Sequence, residues 1–398
     1  MEEHPQARYI IETLAKAGFV AYYAGGWVRD FLLRHPSDDI DIATNAPPET
    51  IQALFPKTVP IGIAFGIVLV IVEGHQYEVA TFRQDMDYED GRRPTRIEFT
   101  TAEEDAKRRD FTINGMFYDP LREQVLDFVG GKKDLELQLI RAIGNPHQRI
   151  KEDRLRMIRA VRLSCRFGFK IDPATVDAIR AHADELFPAV AIERIVQELE
   201  KGDAFNKLKP MLIQLHEFGL LSSIFPTLAQ VPIDEIRKRL SDIDHYPKNA
   251  PLIASLLPLF PHASLEQQLQ LATLLKLPTI DLQFVSFLHK AKQMKDADLY
   301  EWAHFYANRF SDVAIAILKD KGGEHKKRKE LLSHSIDRIH RRDPVIRSDD
   351  LISLGIPPGK QLGALLKEAE RISINEQLFD KQLVINKLRK STLWNYDI

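Results

Sequence analysis

Two aspartates one residue apart, Asp39 and Asp41, follow closely on the segment Gly25-Gly26-Trp27-Val28-Arg29-Asp30. In a strand, side chains at i and i+2 share a face, so both carboxylates project together while Ile40 turns to the core. Two carboxylates so placed can hold two divalent cations roughly 3.5–4 Å apart, a pair that activates a hydroxyl nucleophile and stabilises a leaving pyrophosphate. Hard oxygen donors favour Mg²⁺. The glycines Gly25 and Gly26 let backbone N–H groups approach a triphosphate at the start of the next helix. Arg29, one turn in, is within reach of phosphate. An Asp-x-Asp alone is usually a solvated pair, and Gly-Gly before a helix is a common turn. Their order and proximity are what point to nucleotide chemistry.

Three further groups carry polar residues of the same kind. Glu78 lies between apolar residues in Tyr77-Glu78-Val79-Ala80, where a buried carboxylate is expensive unless it is paired or near a metal; a salt-bridged structural role is equally consistent. Lys107-Arg108-Arg109-Asp110-Phe111-Thr112-Ile113-Asn114 joins a basic pair to Asp110 and Asn114, a set able to bind ribose hydroxyls and phosphate; a charged helix end is the plainer alternative. In Glu152-Asp153-Arg154-Leu155-Arg156, Asp153 and Arg156 are three apart and fall on one helix face, continued by Arg159 and Arg162. Aspartate only accepts hydrogen bonds and arginine only donates them. Such a pair matches the amino group and ring nitrogen of cytosine or adenine. The O4 of uracil or O6 of guanine would meet the carboxylate and be repelled. Pairing within a solvated helix is the bland reading of the same residues.

The elements that must hold these groups are legible in outline. Ala7–Ala17 reads as an amphipathic helix, Val20–Ala24 as a strand, Trp27–Arg34 as a helix, Asp39–Ala43 as a strand and Pro47–Phe55 as a helix. Ile67–Val72 and Gln76–Phe82 read as strands joined by the turn at Glu73-Gly74. Arg83–Arg96, polar and containing Gly91 and Pro94, reads as a loop. Glu103–Arg109 reads as helical and Ile113–Tyr118 as strand-like. Beyond about residue 130 the strand signal fades. Glu152–Arg166 has the spacing of one long helix, and Pro173–Leu186, Ile192–Lys201 and Lys207–Phe218 follow as helices. The expected fold is therefore α+β, an N-terminal head with a mixed β-sheet followed by an all-α remainder.

The chain has 398 residues, 28% charged and 44% hydrophobic, with a net charge of -2. That length predicts two or three domains. Basic residues cluster locally, at Arg141–Lys170 and Lys319–Arg342, and local basic surface is what binds phosphate. A solvated helix face accounts equally for the second cluster. No apolar run reaches the roughly 18–20 residues that span a bilayer, and the start MEEHPQARYI does not read as a signal peptide. The single cysteine, Cys165, makes neither an internal disulfide nor a cysteine metal site. A cytoplasmic protein with no membrane partner is expected.

Taken together, these segments resemble the class II tRNA nucleotidyltransferases and bacterial poly(A) polymerases of the polymerase β superfamily. Five motifs recur in order: Gly25-Gly26 to Asp30 with Asp39 and Asp41; Arg108 to Asn114; Asp127-Phe128-Val129-Gly130-Gly131; Glu152 to Arg156; and Glu193-Arg194-Ile195. The match runs over roughly residues 20–200. The resemblance implies metal binding by Asp39 and Asp41, with Glu78 matching a further family carboxylate. It implies triphosphate contact by Gly26 and Arg29, ribose contact by Arg109 and Asp110, and base selection by Asp153 and Arg156 assisted by Arg159 and Arg162. It implies a head (1–136), a nucleotide-selecting neck (137–205), a body (206–340) and a tRNA-binding tail (341–398). Rotation of the head against the neck would change the choice from C to A.

The expected activity is template-independent addition of C and A to the tRNA 3′ end from CTP and ATP. This chain lacks the Arg-Phe-rich signature of poly(A) polymerases in Ile61–Ile67, which favours the tRNA branch, and Arg83–Pro94, with Asp90-Gly91-Arg92-Arg93, supplies the loop associated with A addition. Full CCA addition and A-only addition remain open at this level. Two departures stand out. Ala191 replaces the serine that often caps the fifth motif's helix, predicting a lost cap, and Arg34-His35 replaces a glycine-containing turn. The absence of a His-Asp dipeptide predicts no phosphohydrolase activity. The segment 350–360, with Gly355, Pro357, Pro358 and Gly359, reads as a helix–turn–helix whose turn could present N–H groups to RNA phosphates; a simple interhelical turn is the alternative.

Overall fold

The computed structural model describes residues 4–35, 37–62, 65–88, 94–319 and 323–395. Contacts divide the chain into two units, Met1–Arg237 and Lys238–Ile398. The first opens with α1 (Pro5–Lys16), a helix with proline at its first position, where no N–H is needed. It buries Ala7, Ile10, Ile11 and Leu14 at helical spacing. Then come β1 (Ala21–Ala24), α2 (Gly26–Leu32), β2 (Asp41–Thr44), α3 (Pro48–Leu54), β3 (Thr58–Gly62), β4 (Ile67–Val72) and β5 (His75–Thr81). After β6 (Arg83–Tyr88), β7 (Pro94–Phe99) and α4 (Ala102–Lys107), β8 (Phe117–Asp119) and β9 (Gln124–Leu126) complete a seven-stranded mixed sheet of order β3-β4-β5-β2-β1-β8-β9. Only β2 and β5 pair in parallel within it; the other neighbours are antiparallel.

Small residues at the centre of that sheet make room for large ones. Ala24 and Ala43 lie with Phe82, Phe117 and Ala106 in one buried cluster. On α2, Trp27 packs edge-on to Tyr23 at 5.0 Å and stacks on Phe31 at 5.1 Å, while Phe31 meets Tyr118 at 4.9 Å. This aromatic set fixes α2 against β1 and β8 and thereby places the Gly25-Gly26 turn. Aromatic pairs add about 0.5–1.5 kcal/mol each beyond their buried area.

Two sequence expectations change here. Within the expected loop Arg83–Arg96, the described residues are strands: β6 and β7 pair antiparallel, with Arg83 opposite Phe99 and Gln84 opposite Glu98. Ladder hydrogen bonds outweigh the low strand propensity of this polar stretch. Asp90-Gly91-Arg92-Arg93 lie outside the described residues. Ile113–Tyr118 is not one strand either. Thr112–Asn114 form a single 3₁₀ turn and the strand begins at Phe117.

The sheet is followed by α5 (Gly131–Glu136), whose entry is held by Asp127. Its carboxylate accepts from the N–H groups of Val129, Gly130, Gly131 and Lys132 at 2.9–3.2 Å. A Cβ on Gly131 would sit 2.3 Å from the Thr112 carbonyl oxygen and 2.8 Å from the Met116 side chain. Gly131→Ala is therefore expected to destabilise the fold by about 1–3 kcal/mol or more. A lower urea midpoint with an unchanged slope would report it.

The helices α6 (Pro146–Glu152), α7 (Leu155–Phe167), α8 (Pro173–Ala181), α9 (Ile192–Ala204), α10 (Leu208–Glu217) and α11 (Leu220–Ile224) follow, with one short parallel pair, β10 (Leu139–Ile140) and β11 (Lys170–Ile171). The predicted single helix Glu152–Arg166 is thus two helices that break at Asp153. That residue adopts φ -148° and ψ 104°, and its Oδ1 accepts the Leu155 N–H at 3.1 Å. At the start of α9, Ala191 gives no side-chain cap, as its replacement of serine predicts.

The second unit is helical throughout its described residues. Its last part has a core of Ile346, Leu351, Ile356, Leu362, Leu365 and neighbours, and Ser348–Ile352 and Lys360–Asn375 flank the Gly/Pro turn as a helix–turn–helix. Among the described residues no helix is long and apolar enough to cross a membrane.

Candidate active site

A cleft of about 600 Å³ in the first unit collects nearly every residue singled out above. One end holds Gly25, Gly26, Asp39 and Asp41; the wall opposite is formed by Arg108, Arg109, Asp110 and Asn114, and by the arginine-bearing face of α7. Gly25 adopts φ 69° and ψ -133°, a region that favours glycine. A Cβ there would come 3.2 Å from Arg109 Nη1 and 3.7 Å from Asp41 Oδ2, so Gly25 passes between the basic and acidic sides of the site.

Asp39 and Asp41 are exposed and Ile40 is buried, the alternation expected of them, although the strand proper begins only at Asp41. β2 and β5 pair from Ile42 and Val79 onward, which sets Asp41 beside Glu78. Glu78 is exposed and is not among the residues that line the cleft. The burial cost assumed for it does not arise, because its side chain shares the solvent face of Asp41. Although Asp41 reaches solvent, the surrounding protein strips part of the water from its carboxyl; that, then the charges of Asp39 and Glu78, push it up to about 6, with Arg109 opposing. Carboxylates that repel one another in this way fit a hard divalent cation. Among the described residues no third His, Cys, Asp or Glu completes a closed cage. An open site of two carboxylates is how Mg²⁺-type ions are held when substrate phosphates supply the remaining ligands.

The arginines are held from behind by carboxylates, some one helical turn away and some far away in sequence. Along α7, Arg156 pairs with Glu152 at 2.8 Å, Arg159 with Asp110 at 2.6 Å, Arg162 with Glu198 at 2.5 Å and Arg166 with Asp30 at 3.0 Å. Asp105, 1% exposed, holds both Arg108 at 2.8 Å and Arg109 at 3.0 Å. Each ion pair fixes a guanidinium that lines the cleft.

Asp153 and Arg156 do not pair with each other. Arg194 of α9 grips Asp153 with two bonds of 2.8 and 3.3 Å, and Arg156 also donates to the carbonyls of Arg149 and Arg108 at 2.8 and 3.1 Å. Both residues still line the cleft, but Asp153 does so from the break between α6 and α7 rather than from a helix face.

Three expected contact residues are strongly engaged. Arg29 is 4% exposed, bonded to Asp30 at 2.8 and 2.9 Å and to Asn114 Oδ1 at 2.5 Å; burial lowers its pKa. Arg162 is also buried, against Glu198. Asp110, 9% exposed, accepts from Arg159, Asn114 and the Phe111 N–H. Burial alone would raise its carboxyl, but Arg159, Arg156 and Asn114 together bring it down to about 2. A depressed carboxyl stabilises the fold above its unfolded pKa and loses that contribution as pH falls through the folded value. Asp110→Asn is accordingly expected to cost about 2–3 kcal/mol at pH 7. The gap to the parent protein, read from denaturant curves, should close between about pH 4 and pH 2.

Several cleft residues carry no site role in the sequence reading: Arg166, Arg194, Lys201 and Phe205. The signal for Arg166 was the arginine stripe itself, one step past Arg162. Arg194 stands inside the fifth motif. Nothing local marks Phe205, whose ring lies under the Arg166 guanidinium at 4.1 Å. At the replaced glycine turn, Arg34 adopts φ 58°, the left-handed conformation in which a side chain costs roughly 1–2 kcal/mol.

Comparison with known proteins gives consistent results. A family model described as the poly A polymerase head domain matches residues 21–141, and one described as a probable RNA and SrmB-binding site of polymerase A matches 168–231. The CCA-adding enzyme of Anoxybacillus flavithermus is 32% identical over 99% of this chain and 98% of its own length. That of Lactococcus lactis subsp. cremoris is 31% identical over 96% and 95%. The crystal structure of the Bacillus stearothermophilus CCA-adding enzyme in complex with CTP superposes with a TM-score of 0.78 at 29% identity, covering 96% of this chain and 97% of that one. With 32% identity sustained along the full length of a relative, and with the acidic pair, the glycine turn and the arginine-lined wall meeting in one cleft, this chain belongs to the CCA-adding enzyme family.

Proposed function

We propose that this chain adds C and A residues to the 3′ end of tRNA from CTP and ATP, completing the CCA end without a template and releasing pyrophosphate. The observation that carries the reading is the cleft itself, which joins the Asp39/Asp41 pair to the Asp153/Arg156 pair. Mg²⁺ held by Asp39 and Asp41 would supply activation of the 3′-hydroxyl and charge neutralisation at the leaving pyrophosphate. Gly25, Gly26 and Arg29 receive the triphosphate, Arg109, Asp110 and Asn114 form the sugar and phosphate wall, and Glu78 adds negative charge beside Asp41. Asp153 accepts the amino group of C or A, and Arg156 donates to the ring acceptor, so a base with a carbonyl at that edge meets a like partner. Arg159 and Arg162 keep the rest of the wall in register. The same reading divides the chain into head (1–136), neck (137–205), body (206–340) and tail (341–398), with tRNA on the tail, and places it in the cytoplasm.

The test is incubation of the purified protein with tRNA ending at the discriminator base, Mg²⁺ and each nucleoside triphosphate, with sequencing of the 3′ ends. Ends that stop at CCA support the reading. A single A added only to tRNA already ending in CC makes it an A-adding enzyme, long A tails a poly(A) polymerase, and no extension of any RNA removes the catalytic reading.

A further inference from the structure

One half-buried cation of the second unit has donors that no described residue meets. Arg338, on the helix Ser333–Arg341, donates from Nη1 to Ser373 Oγ at 3.2 Å, while its Nε and Nη2 are buried without a hydrogen-bond partner among the described residues. A guanidinium has five N–H donors and keeps its charge at any physiological pH. Leaving such donors unmet is costlier than for a neutral group. Nor does Ser373 depend on it, since its own hydroxyl goes to the Leu378 carbonyl at 2.6 Å.

Arg338 lines a pocket of about 380 Å³ whose other cations are Arg347 and Lys381, with the His334 ring beside them, and whose one lining carboxylate is Asp343. Arg347 rests on Asp343 at 2.7 Å and Lys381 on Asp350 at 2.8 Å. These are exposed pairs, which are weakly held and turn to a stronger anion at little cost. At the same pocket Phe379 is 45% exposed, edge-on to His334 at 4.5 Å and 5.7 Å from the Arg338 guanidinium. An open aromatic ring beside fixed cations is the arrangement that holds an unpaired nucleotide, base on the ring and phosphate on the cations.

We propose that this pocket is an anion site for a phosphate group, with Arg338 as its fixed donor. RNA backbone and free phosphate share that chemistry; the Phe379 ring favours the RNA. Only the choice of RNA as the source rests on the function proposed above.

Arg338→Met keeps the apolar stem and removes the donors. Its melting temperature should be unchanged or higher, because the substitution removes two buried, unmet donors of a half-buried side chain. The KM for a full-length tRNA transcript should rise about tenfold at constant kcat and constant KM for CTP. The slope of log affinity against log salt should fall by about one. Phe379→Ala should raise the tRNA KM but leave the thermal shift produced by inorganic phosphate intact. A phosphate-induced shift in the parent that disappears in Arg338→Met, with equal tRNA KM in both, assigns the site to free phosphate. Lys381→Gln probes the same wall from its exposed rim if Arg338→Met does not fold. Unchanged tRNA KM and unchanged phosphate response in these variants overturn the proposal. A parent protein that extends no RNA sinks the proposed function instead, while the phosphate titration still decides the pocket.

Discussion

Asp41→Asn is expected to abolish nucleotide addition, by about 10³-fold or more, and at the same time to make the metal-free protein more stable. The two effects share one cause. Asp41 is crowded by Asp39 and Glu78, which with burial push its carboxyl up to about 6, and only Arg109 offsets them. A carboxyl whose folded pKa lies above its unfolded value favours the fold when protonated. That contribution is fully present below the unfolded pKa, near 4, and is lost as pH rises through about 6. At pH 8 the parent therefore carries the full repulsion, and the neutral amide removes it. The gain in melting temperature should be largest near pH 8 and shrink toward pH 4. Added Mg²⁺ should raise the melting temperature of the parent, by mass action on a site present only in the fold, and do so far less for the variant. Asp39→Asn should behave alike in activity. A variant that loses stability at pH 8, or one that keeps its activity, would remove the acidic pair from the centre of the site.

How far the sequence reached follows from the range over which its signals act. Ile67–Val72 was placed to the residue because strand alternation and the Glu73-Gly74 turn are both local, and that turn indeed has φ 51° and 85° at its two positions. The Asp39/Asp41 and Gly25/Gly26 pairs were legible for the same reason. The strands Arg83–Tyr88 and Pro94–Phe99 carry no local signal, because they pair with each other across the ladder rather than along the chain. The break at Asp153 was missed because helical spacing continues through it, although an aspartate just before a helix is itself a cap signal. Least legible was the support behind the arginines. Arg166 and Asp30 are 136 residues apart, Arg159 and Asp110 are 49 apart, and Arg162 and Glu198 are 36 apart. Nothing in a linear pattern says that a buried Glu198 answers Arg162. Only the fold shows that the stripe on α7 is a set of braced donors rather than a solvated face.

That bracing makes the Asp153 variants the sharpest test of base selection. In the proposed reading Asp153 accepts the base amino group. Arg194 uses two bonds to hold its carboxylate, and the Leu155 N–H takes a third. A carboxylate offers about four acceptor positions, which leaves room for one more donor and none for an acceptor. Asp153→Ala should thus erase the penalty against UTP and GTP, narrowing selectivity by about 10–100-fold, the usual worth of one base-reading pair. The KM for tRNA should move little, because no RNA phosphate is read by a carboxylate. Asp153→Asn should go further. Its amide can turn an N–H toward the O4 of uracil, so U addition should rise in absolute rate rather than merely in proportion. The cost is local. Arg194 loses its ion pair in either variant but is partly solvent-exposed, at 20%, so the fold should survive. A uniform fall in tRNA affinity with C and A still preferred would show that Asp153 supports the neck and does not read the base.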